Sequence, residues 1–262
     1  MGEELVPRFV PIPGGRFIMG SDDGNDDERP AREVRVDAFH VSVYPVTVEQ
    51  YAEFVRDTGH QPPSLRDLPL VVTPQHELPF RELAAAYVWR GGEPPRDRGR
   101  HPVTLVTHMD ATAYCRWLSG QVGALVRLPT EAEWERAARG DLEGKAYPWG
   151  DDIDASRGNF LPEPALKRHR GTRPVGGYPP NGFGLYDMAG NVWEWVADWY
   201  APDTYRTGTT DNPRGPAQGV FRVVRGGSWV SHDIDQLRCA HRHKVPPDTY
   251  AYSIGFRVVY SG

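Results

Sequence analysis

The run RVVRGGSWVSHDIDQLRCAHRHKVPPDTYAYSIGFRVV spans residues 222–259. Its two ends, RVVRGGSW and IGFRVV, predict β-strands, because β-branched and aromatic residues alternate there with glycine and charge. We expect these ends, Arg222–Gly227 and Ile254–Val259, to pair and to contribute to the core. The middle has little apolar periodicity and contains three histidines, one cysteine and two tyrosines. It is therefore a candidate catalytic site, metal site or binding surface.

Upstream of this run, three short helices come first and strands such as NVWEWVADWY follow. Each helix begins at a threonine. Thr47 with Gln50 and Thr130 with Glu133 predict capping boxes, and in the middle helix Thr107 precedes Asp110. We expect the second helix to end at Gly120 and the third at Gly140. Near the N-terminus, residues 9–21 predict a strand pair broken at Gly14–Gly15. Helices first and strands later, with no βαβ alternation, indicate an α+β domain with an antiparallel sheet.

Length and composition limit the possible functions. We interpret the 262 residues as one domain spanning 1–262, with a proline- and charge-rich insertion at about 60–100. A net charge of −5 argues against nucleic acid as a partner. No apolar run is long enough for a signal peptide or a membrane span, so we expect a soluble, monomeric, cytoplasmic protein with no membrane partner. Cys115 and Cys239 have no metal-ligand spacing and are expected to be buried thiols.

Eight motifs together resemble one family, the formylglycine-generating enzyme (sulfatase-modifying factor) family, over roughly residues 8–260. They are GGRFIMGS, VYPVTVEQYAEF, HPVTLVTHMDATAYCRWL, RLPTEAEWERAARG, YPWGDD, PPNGFGLYDMAGNVWEWVADWY, RVVRGGSW and IGFRVV. The resemblance implies an irregular, C-type-lectin-like fold that is low in regular secondary structure. It also implies a functionally mixed group, which includes copper-dependent oxidases of sulfatase cysteine, domains of iron-dependent sulfoxide synthases and non-enzymatic binding proteins. The fold alone does not choose among these functions.

The DMAGNVWEW motif contains candidate ligands for calcium. Asp187 and Glu194 lie on either side of a Gly190–Asn191 turn, and carboxylate and carbonyl oxygens are the ligands that Ca²⁺ prefers. The resemblance implies one structural Ca²⁺ site, formed by the Asp187 and Glu194 side chains and the Gly190 and Val192 carbonyls. The alternative is a capped turn with two solvated acids.

A second calcium site of the family is not expected to be filled. Asn159–Phe160 matches the first part of the family's pattern for that site. The later segment, Lys167–Arg170, has positive charge where the family has an acid. Positive charge at that place would repel Ca²⁺.

The cysteines of the copper-dependent oxidases are missing. The resemblance implies two cysteines shortly after GGS, whose thiolates are soft ligands for Cu(I). Here Ser228 is kept, but Ser231 occupies the first cysteine position and no second cysteine lies in the loop before Arg238. We therefore expect no copper and no oxidase chemistry of that type.

The histidines leave a catalytic alternative open. His232, His241 and His243 could supply a three-histidine iron or zinc site. The chain would then be a metal-dependent oxidoreductase, of the formylglycine-generating enzyme or sulfoxide synthase type, acting on a thiol substrate. The sulfoxide synthases, however, take their iron histidines largely from an additional helical domain, which this sequence lacks.

The reading favoured by the sequence is a non-catalytic binding protein. Variable proteins of diversity-generating retroelements share this fold and vary between RVxRGGSW and IGFR. Tyrosine and histidine in that segment suit an unknown protein or small-molecule ligand. Most of the predicted binding residues should point to solvent: Trp229, Val230, Ser231, His232, Asp233, Ile234, His241, His243, Val245, Thr249, Tyr250, Ala251 and Tyr252.

Overall fold

The computed structural model describes residues 6–66, 80–160 and 171–261. Within these ranges the named helices are α1 (Val48–Thr58), α2 (His108–Val122), α3 (Glu131–Arg139) and α4 (Thr204–Thr207), with short 3₁₀ helices at Asp26–Glu28 and Ile234–Leu237. The strands are β1 (Phe9–Ile12), β2 (Gly15–Met19), β3 (Arg32–Val36), β4 (Phe39–Ser42), β5 (Val126–Arg127), β6 (Trp193–Trp199), β7 (Arg222–Arg225), β8 (His243–Val245), β9 (Ile254–Phe256) and β10 (Val259–Tyr260). The α+β prediction is confirmed.

The three predicted helix starts are confirmed. In α1, α2 and α3 the threonine side chain and the residue three places later form reciprocal capping boxes. Gly140 follows the last residue of α3 as predicted. The predicted end of α2 at Gly120 is wrong, because the helix continues to Val122 and ends at Gly123, which has a left-handed conformation. The extra residues allow Val122 to pack against the core.

The strands form three sheets, ordered β1-β4-β10-β5, β2-β3 and β8-β7-β6-β9. The predicted pairing of the two ends of residues 222–259 is wrong: β7 pairs antiparallel with β6, and β9 pairs parallel with its other edge. The reason is that β6 is buried between them, with Trp195 fully enclosed. The predicted N-terminal pair is also wrong, because β1 pairs with β4 and β2 with β3.

The core contains the aromatic side chains of these elements. Trp195 and Phe256 pack with Tyr51 and Tyr114 in one cluster, and Trp134 packs in a second cluster against β2, β3 and β4. Both cysteines are buried free thiols, as predicted, and burial raises the pKa of each to about 12. The prediction of a single domain with an insertion stays a prediction.

A search of the helices in the described part of the chain found none with the length and apolarity needed to span a bilayer.

Candidate functional site

The thirteen predicted binding residues do not share one exposed surface. Four are exposed, namely His232, Asp233, Ile234 and His243, and three are half-buried, namely Val230, Ala251 and Tyr252. The expectation that most of them point to solvent is wrong for the other six, which are buried: Trp229, Ser231, His241, Val245, Thr249 and Tyr250.

The predicted insertion explains part of this burial. The ring of Phe80 lies 6.3 Å from that of Tyr250 and 5.5 Å from that of Tyr252. Tyr87 stacks on Tyr252 at 6.4 Å, and the Trp229 indole donates a hydrogen bond to the Tyr252 carbonyl. Three aromatic side chains predicted to form a binding surface therefore pack against Phe80 and Tyr87: Trp229, Tyr250 and Tyr252.

Ser231 is enclosed in a tight turn. The resemblance to the copper-dependent oxidases matched this position to their first cysteine. The Ser231 Oγ accepts a hydrogen bond from the Ser228 backbone N–H at 3.0 Å, and its own N–H donates to the Ser228 carbonyl at 3.0 Å. The side chain is only 3% exposed. A hydroxyl used in this way is a poor ligand for a soft metal ion.

The three histidines are not brought together. His241 and His243 lie beside Trp193, with ring centroids 5.9 and 5.1 Å away. Among the residues that the structure describes, no group of three or more His, Cys, Asp or Glu side chains is placed to hold a metal ion. The three-histidine site considered from the sequence is therefore not formed by these residues. Burial, with help from Arg238, lowers the pKa of His241 to about 4, so its ring is neutral near pH 7.

His241 and His243 instead line an open cavity of about 620 Å³. One wall is the 3₁₀ helix Asp26–Glu28, the second is the turn after β6, and the third is β8. The lining residues are Asn25, Asp26, Asp27, Tyr200, Pro202, Asp203, Arg206, Gln236, His241, Arg242, His243 and Lys244. The first two walls were not among the residues predicted from the sequence. The acidic loop SDDGNDDERP was the only sequence feature that pointed to the first wall. Its composition did not show which part of the chain it contacts.

Arg242 joins the cavity walls. Its guanidinium forms a two-point ion pair with Glu131, at 2.8 and 3.0 Å. The same group donates to the backbone carbonyls of Asp27 at 2.9 Å and Ala201 at 3.1 Å. The Tyr200 hydroxyl adds a second bridge by donating to Asp27 Oδ2 at 2.9 Å. These bonds give the cavity a fixed shape before any ligand binds.

A buried ion network lies beneath the cavity. Arg225 is fully buried and donates to Glu131 Oε1 and to Glu135 Oε2, each at 2.7 Å. Arg139 completes the neutralisation of Glu135. This network was not predicted from the sequence, although Glu131 and Glu135 are four residues apart on the helix face that also carries Ala138. Two glutamates on an otherwise apolar helix face could have indicated that buried cationic partners lie opposite them.

The Asp187 carboxylate is buried and lacks an ion-pair partner among the described residues. It accepts hydrogen bonds from the Gly176 N–H at 2.9 Å and from Asn191 Nδ2 at 3.3 Å. Burial raises its pKa to about 6, which means that the ionised form costs free energy there. Glu194 differs, because Arg257 Nε at 2.7 Å and Trp134 Nε1 at 2.7 Å already contact it. Asp187 therefore fits a bound cation.

The position of the second family calcium site is only partly described. Asn159 is buried, and its amide donates to Asn191 Oδ1 at 3.1 Å and to the Gly171 carbonyl at 3.2 Å. The segment Lys167–Arg170, on which the expectation of an unfilled site depends, lies outside the described residues.

Comparison with known proteins places these features in a family context. The family model described as "Sulfatase-modifying factor enzyme 1-like domain" matches residues 2–261. The chain is 37% identical to the "Formylglycine-generating enzyme" of Thermomonospora curvata, over 97% of the chain and 94% of that protein. It is 36% identical to the "Inactive C-alpha-formylglycine-generating enzyme 2" of Mus musculus, over 98% of the chain and 87% of that protein. It is also 39% identical to "Serine/threonine-protein kinase pkn1" of Chlamydia caviae over 97% of the chain, but it spans only 38% of that protein.

Solved structures agree with the fold expected from the motifs. PvdO from Pseudomonas aeruginosa is similar with a TM-score of 0.77 and 29% identity, over 98% of this chain and 95% of that one. Treponema denticola variable protein 1 is similar with a TM-score of 0.70 over 97% of this chain and 95% of that one, and at 24% identity this likeness shows the fold alone. The predicted formylglycine-generating-enzyme-like fold is confirmed.

Proposed function

Because this chain belongs to the family of sulfatase-modifying factor enzyme 1-like domains, we propose that it is a non-catalytic member that binds a protein or small ligand at its C-terminal surface. The observation that carries the proposal is that Ser231 is a buried, hydrogen-bonded hydroxyl. The resemblance matches its position to a metal-binding thiolate of the copper-dependent oxidases. Neither of the two cysteines can substitute for it, because both are buried with raised pKa values.

The first prediction is that the chain does not convert a cysteine to formylglycine. After incubation with copper and a peptide containing CxPxR, mass spectrometry should show an unchanged peptide. The Thermomonospora curvata relative serves as the active control. A Ser231→Cys variant should also be inactive, because one thiolate without a second does not complete the site. Aldehyde formation by the unaltered chain would refute the non-catalytic proposal.

Binding at the C-terminal surface depends on the exposed residues of that segment. His232 and His243 are exposed and Ile234 is 40% exposed, so their side chains contribute little to stability. The triple replacement of these three residues by alanine should leave the melting temperature nearly unchanged in differential scanning calorimetry. In contrast, Trp229→Ala should lower it clearly, because the indole is buried in a cluster with Phe80 and Tyr87. If the triple variant unfolds, the segment is structural and the binding-surface proposal fails.

The most specific form of the proposal is that this surface varies in sequence, as in the variable proteins of diversity-generating retroelements. The segment between β7 and β9 is where retroelement variable proteins vary, and its exposed positions can change without disturbing the core. DNA sequencing downstream of the stop codon tests this version. A near-repeat of the last part of the coding region, rich in AAC codons, would support it, and its absence would leave an undiversified binding protein.

A structural calcium ion is also part of the proposal, in line with a family that binds calcium. Asp187 and Glu194 would supply carboxylate oxygens, and Gly190 and Val192 would supply carbonyl oxygens. A cation beside Asp187 would offset the cost of its buried charge.

The second prediction is that calcium stabilises the fold. Adding a chelator such as EGTA should lower the melting temperature by several degrees, because an ion bound only to the folded chain stabilises it. In an Asp187→Ala variant the same treatment should have no effect, since the site has lost its unpaired carboxylate. Equal melting of the unaltered chain with calcium and with chelator would show that no calcium is bound there.

A further inference from the structure

Three charged side chains of the cavity have neither an ion pair nor a side-chain hydrogen bond among the described residues: Asp203, Arg206 and Lys244. Other charged groups of the lining are engaged. Asp27 accepts the Tyr200 hydroxyl, and Asp26 lies 3.7 Å from Arg29. The unpaired set thus contains two cations and one carboxylate, and a ligand of complementary charge would pair with all three.

One buried nitrogen of the cavity also lacks a partner. The His241 side chain is 10% exposed, and its Nδ1 makes no hydrogen bond within the described residues. The nearest carboxylate oxygen, Glu28 Oε1, is 3.7 Å away, too far for a hydrogen bond. Leaving a buried polar nitrogen unsatisfied costs free energy, and such groups in native structures call for a functional explanation.

One of the two unpaired cations, Lys244, is held against an aromatic ring. Lys244 Nζ lies 4.4 Å from the centre of the Tyr200 ring, and the Arg242 guanidinium lies 4.9 Å from the same ring. Tyr200 is in turn hydrogen-bonded to Asp27. A preorganised charge loses little freedom when a ligand binds, so more of the interaction appears as affinity.

We propose that this cavity binds a small molecule of amino-acid type that carries two acidic groups and one amine. The acidic groups would pair with Lys244 and Arg206, and the amine with Asp203. The inference rests on the proposed binding function and names the class of ligand. A volume of about 620 Å³ is ample for a single amino acid or for the first residues of a peptide.

Calorimetric titration of the full chain with four probes tests the ligand class. L-glutamate carries all three groups, glutarate lacks the amine, and L-glutamine lacks one acid. We expect L-glutamate to bind more tightly than either of the other two. The dipeptide Glu-Ala distinguishes the source: tighter binding than L-glutamate identifies a peptide N-terminus, and weaker binding identifies a free amino acid. Both outcomes support the proposal.

Variants test the location. Lys244→Gln and Arg206→Gln should each weaken L-glutamate binding by about threefold to fivefold, as expected for a partly exposed charge pair. Asp203→Asn should weaken L-glutamate but not glutarate, because only the former has an amine for Asp203. The control is Arg56→Gln, which removes an exposed arginine of α1 that does not line the cavity.

Two results would overturn the proposal. One is the absence of saturable heat with all four probes up to about 10 mM. The other is binding that the three cavity variants leave unchanged. In either case, an unconverted CxPxR peptide would still support the absence of oxidase chemistry, so the two failures are distinguishable.

Discussion

Replacing Arg225 with alanine is expected to lower the free energy of unfolding by roughly 3–5 kcal/mol, the usual cost of breaking a buried ion pair from one side. Arg225 is 0% exposed and contacts both Glu131 and Glu135 at 2.7 Å. After the substitution Glu131 still has Arg242, and Glu135 still has Arg139. Each carboxylate nevertheless loses one cationic donor inside a closed space that water does not reach. Urea unfolding followed by tryptophan fluorescence measures the effect.

Two companion variants sharpen this experiment. Arg16→Ala removes an exposed arginine that pairs with Glu33, and little change is expected because exposed pairs are screened by solvent. Arg225→Lys keeps the charge but lacks the planar fork that reaches two carboxylates at once, so most of the loss should remain. If Arg225→Ala and Arg16→Ala had the same free energy of unfolding, the buried ion network would not contribute to the packing of β7 against α3.

Phe256→Ala is the second substitution with a large expected effect, roughly 3–5 kcal/mol of unfolding free energy. The Phe256 ring is 0% exposed and contacts Tyr114 edge-on at 5.4 Å and Tyr51 at 6.4 Å. Truncation leaves a cavity in the largest aromatic cluster, which the neighbouring rings cannot fill without leaving their own contacts. Chemical denaturation of the purified variant gives the difference directly.

Leu125→Ala provides the matched control for the loss of a large apolar side chain. Leu125 is 75% exposed, so its removal should change the stability by no more than about 0.5 kcal/mol. A small effect at Phe256 would mean that β9 is not anchored by its aromatic residue. The parallel pairing of β9 with β6 would then have to depend on backbone hydrogen bonds alone.

Local features of the fold were predictable from the sequence, and distant pairings were not. The capping boxes at Thr47 and Thr130 depend on residues three positions apart, so the sequence alone specifies them. The strands at β7 and β9 were also identified by their alternation. Their shared partner, β6, could not be identified, because alternation shows which face of a strand is buried but not which strand lies beside it.

The site was less predictable for a similar reason. Ser231 and the proposed calcium ligand Asp187 could be located through motifs that are short in sequence. The burial of Trp229 and Tyr250 depends on Phe80, a residue about 150 positions away in the chain. The cavity likewise joins residues near position 25 to residues near 200 and 240. Arg242, which connects these parts, has no neighbour in sequence that indicates its role.

The position of Arg242 has a consequence for how this protein can change. The stretch between β7 and β9 is flanked by two strands that pair with β6. Between them, Arg242 forms an ion pair with Glu131 in α3. The stretch therefore behaves as two separate loops. Lengthening either loop is thermodynamically inexpensive, since closure entropy costs only about 0.6 kcal/mol for each doubling of length. Substitutions or insertions can then change one loop while the other keeps its conformation, provided that Arg242 is retained.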